Sequence, residues 1–580
     1  MRESGVAQLT LNDLPEVFVP FETAKANKGK IVYCNSLLDR GLGEAELLSR
    51  YSYTIVYQEI CAKRPYDKKK FFAERYGGDG ILTNGGGARC GFDGSFQLKG
   101  IGANKLVSVR PPNPQGYTHA NGFLSLSIAI HESIWAEVVQ RALPYGAVRT
   151  VAIIDLDVEF EESNTHHARA LLIRLPAVRP AHFIRALYFK EKKHGALSED
   201  AKRVALAIQR LVSFLPQNST NQDANALPES LSLGMVELAT RYAKQFSAAR
   251  SKRIYHANVS ASNITTDGAW MDLAGSAVFS ERLWWNGFNI DKFKAEYAPA
   301  INSINDMCFY LNKYGVISLE ASREIFEKSL HAFNIEFEKN SSECNAVQAG
   351  FPLFMVRHFS DNACFLDFSE KLKKILTKDK YIITPVSAGS WIGYEHWISR
   401  LYLQLFKGKN DNEVIDLSWF SGDDTLLSQM ITSYGNFFDL VVSEASAIGV
   451  SRKNIATCIA INLTRLNRCN SVLVDLYDEI TDVIRKNRGW EEDKASYDLL
   501  FKRSNLATTL AFEYNEGFIQ HVWDDESTVI QFDALTGLFM AEDKKRNVNI
   551  SGKFSEVRDK ILGVETVCCF YQKIIGVFHE

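Results

Sequence analysis

The stretch "FQLKGIGANKL", residues 96–106, turns on whether Lys99 is a solvated charge or a phosphate-holding lysine. A short alternating run ends at Lys99 and passes at once into Gly100, Ile101 and Gly102. Walker-type loops set their glycines before the lysine, and here the order is reversed. Another kind of nucleotide site carries its lysine on a strand, beneath a separate glycine-rich loop. Alternation puts Phe96 and Leu98 on one face of the run and Gln97 and Lys99 on the other. One face then suits a core and the other a cleft.

About ten residues upstream lies "NGGGARCG", with Gly85, Gly86 and Gly87 in succession. Such a turn can bring backbone N–H groups against phosphate oxygens because no side chain intervenes, although ordinary glycine-rich hairpins carry the same letters. Downstream, "LSLSIAIHESIWAEVVQRAL" (124–143) predicts a mostly buried helix with Glu132 in its middle. A carboxylate in apolar surroundings is costly unless paired, and Lys99 is its natural partner. The competing reading sets Glu132 and Glu137 on the helix's wet side. In "YHANVSASNITTDGAWMDLAG" (255–275), a hairpin is expected to turn at Asp267 and Gly268, with Asn263 and Asp272 at its ends. An amide oxygen and a carboxylate so placed can both reach one hard cation, the usual way of holding Mg²⁺ with phosphates. A polar hairpin without a cation is the alternative.

The 580 residues are 46% hydrophobic and 23% charged, a globular composition with material for about two to four domains. A formal net charge of -3 gives no reason to expect nucleic acid or an anionic membrane as partner. The basic runs at 63–70 and 371–380 read as solvated faces. Ten cysteines without a C-x-x-C pair predict buried thiols in a reducing compartment. With no long apolar segment at the N-terminus or elsewhere, a cytoplasmic protein is expected. Further strands are expected at 80–83, 105–109 and 148–156, and a strand then a helix over 167–189, broken near Pro176 and Pro180. Helices are expected at 193–214, 230–250, 318–338, 365–377, 395–407 and 478–515, and an exposed loop at 215–227.

Glycine loop, strand lysine, helix glutamate and asparagine-hairpin-aspartate, in this order, resemble the SelO family of kinase-fold protein adenylyltransferases. "IVYCNSLLDRGLGEAELL" (31–48) is similar to that family's N-terminal region, and "GGGARCG" with "FQLKGIGANKLVS" to its glycine and lysine segments. "SIAIHESIWAEVV" (127–139) resembles the helix whose glutamate pairs with the lysine, which places Glu132 there. In "HANVSASNITTDGAWMDLAG", the interval of nine from the family's metal-binding asparagine to its metal-binding aspartate falls on Asn263 and Asp272. "LIRLPAVRPAHF" (172–183) resembles the segment of nucleotide-contacting arginines: Arg174 matches the first, and Arg179 the second after a small gap.

The resemblance spans roughly residues 8–275. It implies an α+β, bilobal protein-kinase-like fold with a largely helical C-terminal half. The regions would be 1–190 (N-lobe-like, nucleotide-binding), 191–344 (C-lobe-like, with the metal hairpin) and 345–580 (substrate or partner binding). It also implies ATP with Mg²⁺ or Mn²⁺ and transfer of AMP to a hydroxyl of a protein or peptide substrate, with a partner enzyme admitted through the last region. Lys99, Glu132, Asn263 and Asp272 would be catalytic, Asn263 and Asp272 holding metal; Gly85, Gly86, Gly87, Lys99, Arg174 and Arg179 would hold nucleotide. The family's base aspartate falls on Ser262, and a serine is no general base at neutral pH without activation. Asp267 is near in sequence but lies in the turn. A carboxylate acceptor needs no base, being already ionised. Adenylation of a peptide or small-molecule carboxylate in a biosynthetic ligation is therefore the second reading, and a nucleotide-binding pseudokinase scaffold the third.

Overall fold

A computed structural model describes residues 9–55, 67–77, 84–107, 121–162, 164–185, 194–216, 227–278, 290–377, 384–385, 394–395, 397–417, 419–420, 424–468, 473, 475–489 and 494–579. Alternating apolar residues in the N-terminal third form an eight-stranded antiparallel sheet. Its strands are β1 (Phe18–Lys25), β2 (Lys30–Cys34), β3 (Tyr53–Ile55), β4 (Lys68–Glu74), β5 (Cys90–Phe92), β6 (Gln97–Lys99), β7 (Thr150–Glu162) and β8 (Thr165–Arg174), in the order β2-β7-β8-β6-β5-β4-β1-β3. The β6–β8 register sets Gln97 opposite Arg174 and Lys99 opposite Leu172. Helix α1 (Gly43–Tyr51) contributes Leu47 and Tyr51 to one face of the sheet, where they join Phe96, Leu98 and Ile173. The opposite face receives α2 (Leu126–Ala142), whose first turn is capped by the Ser125 hydroxyl accepting from Ile128 N at 3.3 Å.

Below the sheet run α3 (His194–Ile208), α4 (Leu227–Ser251), α5 (Ile290–Lys294), α6 (Ala298–Lys313) and α7 (Leu319–Gln348), with α4 and α7 packed along much of their lengths. Between α4 and α5, the short pair β9 (Ile254–Tyr255) and β10 (Ala277–Val278) frames the loop that carries Asn263 and Asp272. The mixed α+β class and the helical C-terminal half agree with expectation. That half contains α8 (Leu353–His358), α9 (Ala363–Leu376), the bridge β11–β12 (Thr384–Pro385, Tyr394–Glu395), α10 (Trp397–Asn410), α11 (Asp424–Ala447), α12 (Arg452–Asn462), α13 (Arg465–Arg468), α14 (Leu476–Gly489) and α15 (Lys494–Phe512). An unexpected four-stranded meander follows: β13 (Ile519–Asp524), β14 (Thr528–Asp533), β15 (Leu538–Asp543) and β16 (Val548–Gly552), then α16 (Phe554–Lys560), α17 (Val564–Phe570) and α18 (Gly576–His579).

Other expectations shift in detail. The helix expected over 478–515 is two helices, α14 and α15. Residues 105–106 form a turn rather than the strand expected at 105–109, and the expected strand at 80–83 lies outside the described residues. After β8 a short 3-10 turn at Pro180–His182 stands at the expected break, and residues 186–189 lie outside the description. The boundary expected at 345 falls within α7. No helix among the described residues is long and apolar enough to cross a membrane, and eight cysteines among them are free thiols.

The second half does not stand apart from the first. Leu476, Ile480, Tyr497, Leu500 and Phe501 of α14 and α15 belong to the same core as α2. Phe501 stacks on Tyr33 of β2 with ring centroids 3.9 Å apart, and Arg488 reaches Asp155 and Glu159 of β7, each at 3.0 Å. Covered by the sheet on one side and by α14–α15 on the other, α2 is buried nearly all round, which explains its even apolar composition. Lys252 ties the parts together, its ammonium donating to Ala142 O at 2.6 Å and Phe512 O at 2.7 Å, the last residues of α2 and α15. Phe501→Ala should therefore lower the free energy of unfolding by about 3 kcal/mol. Urea titration followed by fluorescence measures this; an unchanged midpoint would refute the shared core.

Candidate functional site

Lys99 is not a surface charge. Its ammonium donates to Glu132 Oε2 at 2.6 Å and also to the Asp272 carboxylate. Gly100, with φ of 90°, turns the chain away directly after it, and a Cβ there would lie 2.6 Å from Ala170 O. Glu132 spends its other oxygen on Arg174, whose Nη1 donates at 3.1 Å. Arg174 Nε donates to Gln97, and the Gln97 amide donates to Glu74. Glu74 faces His182 Nε2 at 2.9 Å, Tyr76 OH at 3.3 Å and Arg179 Nη2 at 3.4 Å. Arg179 Nη1 donates to Ser262 O at 3.0 Å and so ties this network to the hairpin loop. Gln97 and Arg174 meet because they are cross-strand neighbours; Lys99 and Glu132 meet because α2 crosses that same face.

The network is dry at its base and open at Asp272. Side chains of Lys99, Glu132 and Arg174 are 1%, 5% and 3% exposed, against 29% for Asp272. Burial alone would push Asp272 up; the charges of Lys99, Arg174 and Arg89 and the Lys99 hydrogen bond overcome it and hold the carboxyl well below its ordinary range. Glu74 follows the same logic. Its burial is outweighed by Arg179, by the His182 hydrogen bond and charge, and by Arg174, so its carboxyl is held at about 2 against an ordinary 4.5.

The hairpin forms as expected. Thr265 N donates to Ala269 O at 3.0 Å and Met271 N to Asn263 O at 3.0 Å, with Ile264 bridged to Trp270. Asp272 takes a left-handed φ of 62°, a conformation that only small polar residues and glycine adopt readily. The Asn263 amide nitrogen donates to Asn258 O at 2.8 Å, which commits its nitrogen and leaves Oδ1 with one long contact, from Ser262 Oγ at 3.4 Å. The preceding turn is clamped by Glu296, which accepts from Ala257 N at 2.7 Å and His256 N at 3.3 Å. Burial raises Glu296 to about 8. Ser262 Oγ shares a 2.9 Å hydrogen bond with Ser260 Oγ, and Asp267 sits at the hairpin tip bonded to Thr265 Oγ1.

The glycine turn closes the site's edge differently from the expectation. Gly85 N donates to Leu106 O at 2.7 Å and Gly87 N to Glu74 O at 2.8 Å, so two of the three amides are committed to backbone. A Cβ at Gly86 would lie 2.1 Å from Glu74 O; glycine here permits close passage over the end of β4. The sequence reading had not named Glu74, His182 or Arg89. Arg89, inside the glycine-rich run, had a legible signal, a cation beside backbone made for close approach. Glu74, closing the lysine-rich strand "KKKFFAE", had none.

Lys99, Arg174, Arg179 and Arg89 thus gather around Glu132, Asp272 and Glu74, a balance that leaves room for an anion. The buried Nε of Arg179 has no hydrogen-bond acceptor among the described residues, while its Nη2 is held 3.4 Å from the Glu74 carboxylate; the free Nε suits a phosphate oxygen. For a cation, Asp272 and Asn263 Oδ1 offer two hard oxygen donors, as many as Mg²⁺ commonly takes from protein when phosphates supply more. No group of three or more His, Cys, Asp and Glu is placed to hold a metal among the described residues. No protein-family model and no curated protein matches the chain.

The Glu74 carboxylate makes a pH prediction. A depressed value means its stabilisation is complete above about pH 4.5 and drains away as pH falls toward 2. Glu74→Gln should destabilise the protein by roughly 3 kcal/mol at neutral pH, with the gap to wild type closing between those limits. Urea midpoints measured from pH 7 downward test this; a gap independent of pH would refute the ionised, paired carboxylate.

Proposed function

We propose that the chain is an ATP- and Mg²⁺-dependent nucleotidyltransferase, a remote SelO-like member of the bilobal kinase-like proteins, which moves AMP from ATP to a protein hydroxyl. The observation that carries this reading is Lys99 held between Glu132 and Asp272, residues 33 and 173 positions away in sequence. Strand lysine, helix glutamate and hairpin aspartate in one contact are the parts a phosphoryl or nucleotidyl site needs. Lys99 would hold phosphate oxygens, with Glu132 and Arg174 fixing its position from beneath. Arg179, and Arg89 at the rim, would offset charge on the departing pyrophosphate. Asp272 and Asn263 would hold the metal, which would supply neutralisation of phosphate charge. Asp272 would exchange its Lys99 contact for it, consistent with its greater exposure.

Ser262 supports the second reading. It stands where the resemblance sets the family's base aspartate, and its hydroxyl is bonded to Ser260 and to the Asn263 amide oxygen. An acceptor that is itself a carboxylate, on a peptide or a small molecule, would attack without a base.

The deciding experiment supplies ATP labelled separately at the α and γ positions, with Mg²⁺ or Mn²⁺, and follows protein-bound label and released pyrophosphate. The expected result is α-label on protein, reduced about a hundredfold or more by Lys99→Met and by Asp272→Ala. Pyrophosphate released only with a carboxylate acceptor present would favour the second reading. Metal-dependent ATP binding unchanged in Asp272→Ala would overturn the site.

A further inference from the structure

A second polar cavity lies away from this site, between α4, α5, α7, α9 and α10. It is part-open and small, with a volume of about 90 Å³. Among the described residues four cations line it, Arg250 and Arg253 at the end of α4, Lys294 on α5 and Lys373 on α9, against one carboxylate, Glu338, which pairs with Lys373, while Lys294 donates to Thr377 O at 2.8 Å. Arg253 is 8% exposed and adopts a left-handed φ of 60°, an uncommon conformation for a long side chain. Hydroxyls complete the lining. Ser369 is 7% exposed, and its Oγ and that of Ser341 have no hydrogen-bond partner among the described residues. A buried hydroxyl left unpaired costs about 1–3 kcal/mol, so two in one cation-lined cavity want an external partner. Phe293, Phe337 and Tyr402 supply apolar wall, with the Arg253 guanidinium 5.1 Å from the Phe293 ring centre.

We propose that this cavity binds the phosphate group of a small phosphorylated molecule. Lys294 and Lys373 would offer charge from the mouth, the arginines from the inner wall, and Ser341 and Ser369 hydrogen bonds to the phosphate oxygens. The site shares no residue with the Lys99–Asp272 cluster. Its occupancy would bear on that cluster's loop, because Arg253 stands one residue before β9, Phe293 packs edge-on against Tyr255 at 5.8 Å, and Glu296 two residues beyond α5 clamps His256 and Ala257.

Calorimetric titration at constant ionic strength tests it, with inorganic phosphate and AMP as probes and chloride as control. Four proteins are compared: wild type, Asp272→Ala, Ser369→Ala, and the double variant Lys294→Gln with Lys373→Gln. Phosphate binding should persist in Asp272→Ala and weaken about tenfold or more in the other two variants. The double variant, altered at the cavity mouth, should melt at the wild-type temperature without phosphate. Measured in Asp272→Ala, so that the Lys99–Asp272 site does not contribute, AMP binding tighter than phosphate would identify a nucleotide or similar ester as occupant; equal binding would identify free phosphate. Binding absent from wild type, lost in Asp272→Ala, or undiminished in both cavity variants would overturn the proposal.

Discussion

One buried ammonium organises the upper part of this fold. Lys99 is 1% exposed, and a lysine so far from water must either lose its proton or be met by carboxylates. Meeting it with Glu132 fixes how α2 lies across the sheet, since a carboxylate at mid-helix reaches β6 only if the helix crosses over that strand. Meeting it with Asp272 brings a loop from beyond α4 up against the same strand. Secondary elements distant in sequence are therefore joined by charge rather than by apolar packing at this point. Removing one partner of such a group costs roughly 3–5 kcal/mol because the remaining charge is stranded. The geometry is thus defended by stability itself, whether or not ligand is bound.

That constraint is transmitted outward through α2. Its sheet-facing side carries Glu132, while other residues pack against α14 and α15, which arrive from the far end of the chain. Lys252 draws the C-terminal ends of α2 and α15 onto one ammonium, beneath the Tyr514 ring at 3.8 Å. Burial pushes Lys252 down to about 7, a measure of how dry that junction is. A helix seated on both sides has little freedom to rotate its glutamate away from the lysine. Through these contacts α14 and α15 brace α2 from the side away from the sheet.

Which charged residues would meet was more legible in the sequence than the frame around them. Alternation in "FQLK" sorted Phe96 and Leu98 from Gln97 and Lys99 correctly, because side-chain period on a strand is a strict geometric rule. The Asp267–Gly268 turn located its hairpin for the same local reason. Glu132 could be read either way from periodicity, and only three-dimensional contact decided it. Glu74 and His182 were invisible, since their pairing spans 108 positions and neither sits in a recognisable pattern. The 519–552 meander escaped notice because each strand has only five or six residues between polar turns. Composition read the second half as helical and left no trace of α14 and α15 folding back on the first core.

The electrostatics bear on which chemistry the site favours. Glu132 and Glu74 spend their oxygens on Lys99, Arg174, Arg179 and His182, so neither has an oxygen free to reach an acceptor. Asp272 is held well below its ordinary range and is a weak base for the same reason that it would be a good cation ligand. Near the loop, burial raises the proton affinity of Glu296, to about 8, yet its oxygens already accept from two backbone amides. If the cluster is the proposed nucleotidyl-transfer site, its charges would stabilise negative charge rather than remove protons, and transfer would then be fastest to a nucleophile that arrives ionised, which is the physical case for the second reading, a carboxylate acceptor.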